Sequence, residues 1–209
     1  MRKTAFSLLL AAVSPLMLWA QGIKFEEGSF AQALAKAKKE NKIVFVDVYT
    51  TWCGPCKKMA KEFFPTKEAG DKYNTSFVNY KIDAEKGEGI QVAQKYNVNG
   101  YPTSLYLKPD GSVVYTSMGI SDLEGFLHNA DVAIEEYKDP HDWNWYATTF
   151  KKGTDTKEFL TQYMQKAKRL GKDNDEALDK YVSKYVSTKN PADKELIYLA
   201  DNIQTLDNK

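Results

Sequence analysis

Between Ile43 and Phe64 the chain passes from a nearly continuous apolar and β-branched run, IVFVDVY over 43–49, to a helical stripe of Met59, Ala60, Phe63 and Phe64 that stops at Pro65. A run of the first kind suits a strand covered on both faces, so the rest of the chain must supply layers on either side of a sheet. The only two cysteines, Cys53 and Cys56, lie at the junction. With no other thiol the protein is not a disulfide-stapled scaffold, and its one possible intramolecular bridge closes a four-residue loop.

The surrounding pattern extends this unit. Ser29 with Gln32 reads as a capping box, and Phe30, Ala33, Leu34 and Ala37 recur at helical spacing until Asn41. A second strand is expected over 77–83 and a helix over 89–96. Strands over 104–108 and 112–116 flank Pro109-Asp110-Gly111, which is hairpin turn chemistry. Ser121 with Glu124 caps a closing helix that runs to about Tyr137. The order over 28–137 is helix, strand, helix, strand, helix, strand, strand, helix. That order implies an α/β domain with one mixed sheet, parallel where helices cross over and antiparallel at the hairpin.

Beyond Pro140 the strand signals stop. Phe159, Leu160, Tyr163, Met164, Ala167 and Leu170 form one helical face ended by Gly171. Leu178, Tyr181, Val182, Tyr185 and Val186 form a second, and Leu196, Ile197, Ala200 and Ile203 a third, started at Pro191. Residues 138–209 therefore read as a small all-α subdomain, expected to cap the sheet domain, with a partner-docking surface as the other reading.

At the opposite end, Arg2 and Lys3 precede an uncharged stretch from Thr4 to Ala20. This is the layout of a secretory signal peptide over 1–20, with cleavage expected after Ala20. The stretch is shorter than the ~20 apolar residues that a spanning helix usually needs, and an uncleaved N-terminal membrane anchor is the alternative. The expected location is periplasmic or secreted, where disulfides persist. The formal net charge of +1 becomes −1 when Arg2 and Lys3 leave with the leader. That balance offers no basic footprint for nucleic acid.

A lone C-x-x-C pair is also half of a zinc site, but zinc takes about four ligands, and neither His128 nor His141 lies in a ligand-spaced cluster. No metal is expected, and no dinucleotide or nucleotide fingerprint appears, so the redox centre is the dithiol itself. A thiol at a strand-to-helix junction faces unpaired backbone N–H groups and the positive end of the helix dipole, which favours thiolate. Cys53 is the expected nucleophile, with Lys57 adding positive potential. Cys56, expected to lie deeper, resolves the mixed disulfide. Gly54 and Pro55 keep the turn compact.

The segment VDVYTTWCGPCK, residues 46–57, resembles the active-site segment of thioredoxin. Asp47 six residues before Cys53, Trp52, the full CGPC, Tyr101-Pro102-Thr103 before the third strand and Gly119 after the hairpin agree in order. The resemblance covers about residues 24–137 and implies the thioredoxin fold. It implies that Pro102 is the family's cis proline, presenting the backbone of Tyr101 to substrate, and that Asp47 is the buried carboxylate serving the second thiol. Burial in an apolar strand raises a carboxyl's pKa, which suits that role. Two positions depart from the family pattern: Asn79 stands where the family has a lysine near the carboxylate, so that charge partner is missing unless Lys81 substitutes, and Lys61 stands where it has a helix-kinking proline. The spacing is more similar to the periplasmic thioredoxin-like domains of membrane thiol-disulfide interchange proteins.

The expected function is a periplasmic thiol-disulfide oxidoreductase that reduces disulfide-containing exported proteins, with electrons from a membrane donor. The alternatives are a disulfide oxidant or isomerase, and a partner-binding module carrying a redox-sensing dithiol. The family is usually monomeric, while an apolar face on the tail offers a route to a dimer.

Overall fold

The computed structural model describes residues 22–119 and 122–186. The first helix, α1 (Phe30–Glu40), starts at the capping box of Ser29 and Gln32 and ends at Asn41 in the left-handed conformation. Strand β1 (Ile43–Tyr49) follows. After the cysteine turn, α2 (Gly54–Lys58) runs into a π-helical turn, Met59–Phe63, in which the Phe64 N–H reaches back to the Met59 carbonyl. Next come α3 (Lys67–Ser76), β2 (Phe77–Asp83), α4 (Glu88–Lys95), β3 (Thr103–Leu107), β4 (Val113–Met118) and α5 (Leu123–Lys138). The strand order is β2-β1-β3-β4, with β1 parallel to β2 and antiparallel to β3, and β4 antiparallel to β3.

The period of two along β1 divides the core. Val44, Val46 and Val48 join Phe30, Ala33, Ala37, Val92 and Ala93 under α1 and α4. Ile43 and Phe45 face the other way, joining Met59, Phe63, Phe64, Tyr73 and Phe126 under the π turn, α3 and α5. Tyr73 and Phe126 stack at 4.5 Å, and the Tyr73 hydroxyl donates to the Phe126 carbonyl at 2.9 Å. Asp47 shares the parity of Ile43 and Phe45, so its carboxyl enters the layer from which the cysteine helix rises.

Two helices were not expected from the sequence. Helix α3 buries only Ala69, Gly70 and Tyr73, too narrow a stripe to register as a period, although Thr66 caps it by accepting from the Ala69 N–H. Its presence inserts a second helix between β1 and β2. The other is α6 (Trp143–Lys151), capped by Asp142, with Tyr146 and Phe150 buried among aromatic and β-branched neighbours of modest helix propensity. The closing helix α5 is capped by Asp122, whose side chain accepts from Gly125, and Ser121 lies outside the described residues.

Helices α7 (Lys157–Arg169) and α8 (Asp175–Tyr185) follow α6. Together the three enclose an apolar core of their own, containing Phe150, Leu160, Met164, Ala167 and Leu178, in which no residue of the sheet participates. Among the described residues, an ion-pair cluster links this tail to α5 of the sheet domain. Lys166, 1% exposed, reaches Glu136 at 2.8 Å, Asp139 at 2.9 Å and the His141 carbonyl at 2.7 Å, and Arg169 bonds Glu136 at 2.7 Å. The third tail helix and the leader expected from the sequence both lie outside the described residues.

Candidate active site

The sequence around Cys53 folds as a cap. Its backbone is extended, its N–H donates to the Thr50 carbonyl at 3.3 Å, and α2 begins at the next residue. Cys53 and Cys56 are joined in a disulfide with Cα atoms 5.3 Å apart, and the Cys56 N–H donates to the Cys53 sulfur at 3.1 Å. A backbone N–H in this position stabilises a thiolate, the charged species in exchange. Cys53 is 3% exposed and Cys56 5%, so the expected difference in depth is not seen in this oxidised state. Gly54 and Pro55 are exposed. Apart from its chain neighbours and the helix's own backbone, a Cβ on Gly54 would meet nothing within 4 Å.

Three further segments frame the pair. The Tyr101–Pro102 peptide bond is cis, as the resemblance implied. The Pro102 carbonyl accepts from the Gly119 N–H at 2.8 Å, where Gly119 has a positive φ of 74°. Thr103, buried, donates its hydroxyl to the Gly100 carbonyl at 2.7 Å, fixing the loop that carries Tyr101 and Pro102. Trp52 is 64% exposed, packs edge-on against Tyr101 at 5.9 Å, and donates its indole N–H to Glu85 at 2.9 Å. Glu85 is a site residue that sequence reasoning missed, because its link to Trp52 spans 33 residues and no local motif announces it.

Asp47 belongs to the same part of the site. It and Cys56 line the same cavity, and Asp47 is buried with its Oδ1 atom unpartnered. Burial pushes its pKa up to about 7, and the nearby charge of Lys81 pulls the other way. Lys81 is the register partner of Asp47 across the β1–β2 ladder, with its ammonium 5.5 Å from the Phe25 ring. Asn79 is paired with Phe45 instead, and its amide donates to the Lys24 carbonyl and to Asn74. The cation near the carboxyl is thus supplied by Lys81, and Asn79 anchors the incoming N-terminal segment. Lys57 is exposed on the rim of the same cavity.

At the place of the family's kink proline, Lys61 lies inside the π turn. At this wider turn the consecutive residues Phe63 and Phe64 both enter the core. Among the described residues no cluster of three or more His, Cys, Asp or Glu side chains could hold a metal ion, and no helix is long and apolar enough to cross a membrane.

The family profile described as Thioredoxin-like domain matches residues 30–131. A protein from Bacteroides thetaiotaomicron whose solution structure bears the description of a proposed disulphide-isomerase is 44% identical, superposes with a TM-score of 0.51, and is matched over 55% of this chain and 95% of that one. A Zea mays protein disulfide-isomerase is 30% identical over 118 residues, 54% of this chain and 22% of that protein. An Oryza sativa subsp. indica H-type thioredoxin is 39% identical over 83 residues, 40% of this chain and 62% of that protein. The chain thus spans about a fifth of the length of the plant disulfide-isomerases it matches.

Proposed function

Because this chain belongs to the thioredoxin-like family of disulfide oxidoreductases, we propose that it is a periplasmic reductase of disulfides in exported proteins. The carrying observation is the Asp47 carboxyl, with its pKa near 7, in one cavity with Cys56. Cys53 thiolate attacks a substrate sulfur and displaces one substrate thiolate, forming a mixed disulfide. Asp47 takes the Cys56 proton, Cys56 attacks Cys53, and the second substrate thiolate leaves with the electron pair. The products are a reduced substrate and the Cys53–Cys56 bridge. A membrane electron donor restores the dithiol. Tyr101 and Pro102 provide the backbone edge for substrate, and Trp52 an aromatic surface beside it.

The location rests on the leader-like pattern of residues 1–20 and is tested by cell fractionation with N-terminal sequencing of the mature protein. The direction of electron flow is tested by equilibrating the Cys53–Cys56 pair against glutathione buffers. A potential below about −220 mV supports the reductase, and one above about −180 mV moves the protein to disulfide formation or isomerisation. The isomerase reading is favoured by the names of the Bacteroides and maize relatives.

A further inference from the structure

Cys56 lines a cavity of about 710 Å3 to which neither Tyr101 nor Pro102 contributes. Its walls are unusual for a site that serves only proton exchange. Ile23, Phe25, Phe64 and Pro65 present a broad apolar surface, far more than a water path to one carboxyl needs. Around it stand Lys24, Lys57 and Lys81, none of which has a carboxylate within ion-pair distance among the described residues. The one acidic group in the lining is Asp47, whose buried Oδ1 has no hydrogen-bond partner.

We infer that this cavity is a binding site for a small amphipathic anion, a compound with an apolar body and a single carboxylate. The volume falls within the ~300–1,000 Å3 range of small-molecule pockets, and an apolar wall with a few convergent polar groups is their usual make-up. The cations select the sign of the head group, since a cationic amphiphile would meet three lysines. The apolar body replaces water against Ile23, Phe25 and Phe64. An unpartnered carboxyl oxygen on the inner wall gives a bound molecule a polar contact that the protein itself leaves open. When Asp47 is protonated it can donate to the head group, so the site accommodates an anion beside an acidic residue. Binding here does not depend on the direction of electron flow, and its failure would leave the proposed reductase untouched.

The test is titration of the oxidised, isotopically labelled full-length protein with sodium decanoate, followed by amide NMR. Saturable shifts should concentrate at Gly22, Ile23, Phe25 and Ala60. Decanol and decyltrimethylammonium should bind at least about tenfold more weakly. Lys24→Glu, on the rim, should weaken decanoate by about threefold or more. Ala60→Leu, which fills the cavity from the π turn, should weaken it by about tenfold, and the spectra themselves report whether each variant is folded. Shifts that are non-saturable or centred elsewhere would overturn the assignment. So would equal binding of the alcohol or the cation, or decanoate affinity unchanged in both variants.

Discussion

Lys81 faces Asp47 directly across the parallel β1–β2 ladder, and its charge opposes the burial that drives the Asp47 pKa to about 7. The pair leaves a partly compensated carboxyl in the cavity that Cys56 also lines, poised between its two protonation states near neutral pH. Removing the lysine charge with Lys81→Met should therefore raise the Asp47 pKa further, by up to about one unit for an exposed cation near a buried acid. The pH at which resolution of a mixed disulfide reaches half its maximal rate should move upward by the same amount, which stopped-flow measurement across pH can read.

The same carboxyl sets a pH dependence of stability. In the unfolded chain Asp47 loses its proton near ~3.9, whereas the folded protein holds it to about 7. Between those values the native state binds more protons than the unfolded one, so stability falls as pH rises through this window and levels off above it. Asp47→Asn should remove that fall. At alkaline pH the oxidised variant should be more stable than the parent by up to about 4 kcal/mol, as urea denaturation at several pH values will show. Its exchange rate should drop, because the Cys56 proton has lost its acceptor.

Much of this site was legible in the sequence because its signals are local. The run of 43–49 is continuous enough to mark a doubly covered strand, the capping box at Ser29 fixes the start of α1, and the Pro109-Asp110-Gly111 turn separates the strand segments SLYLK and SVVYT. Helix α3 was not legible, because Ala69 and Tyr73 alone carry its apolar face, and α6 was masked by residues that serve strands as readily as helices. Contacts made through space left no pattern to read. The Trp52–Glu85 bond, the pairing of Phe25 with Asn79 and the burial of Lys166 each join residues far apart in the chain or hide a charge on a helix that looks amphipathic.

Lys166 gives the tail its own prediction. Burial pushes the Asp139 carboxyl up, but bonds from the Lys166 ammonium and the His141 N–H outweigh it and hold the pKa below the usual carboxylate range. A depressed carboxylate contributes stability that is present above its unfolded pKa of ~3.9 and is lost as pH falls through the lower folded value. Lys166→Ala leaves Glu136 and Asp139 with one buried cation fewer and should cost about 3–5 kcal/mol. Limited proteolysis should then cut between α5 and α7 at a pH where the parent resists. A disulfide-exchange rate that is unchanged in the folded variant would assign the Lys166–Glu136–Asp139 cluster to attachment of the tail alone.

The two cysteines should separate by their step. Cys53→Ser removes the sulfur that accepts from the Cys56 N–H and leaves no thiol at the helix cap, so turnover should fall to background. Cys56→Ser keeps that backbone donor aimed at Cys53 and keeps the cis-proline loop, so the first attack should proceed while resolution stops. A mixed disulfide should accumulate, visible as a reductant-sensitive adduct in mass spectrometry. Since the two residues are almost equally buried in the oxidised protein, depth alone does not assign these roles. Position does: Cys53 caps the helix, whereas Cys56 lies within it and shares its cavity with Asp47. If Cys53→Ser trapped substrate and Cys56→Ser did not, the nucleophile would be the inner cysteine and the proton route through Asp47 would serve attack instead of resolution.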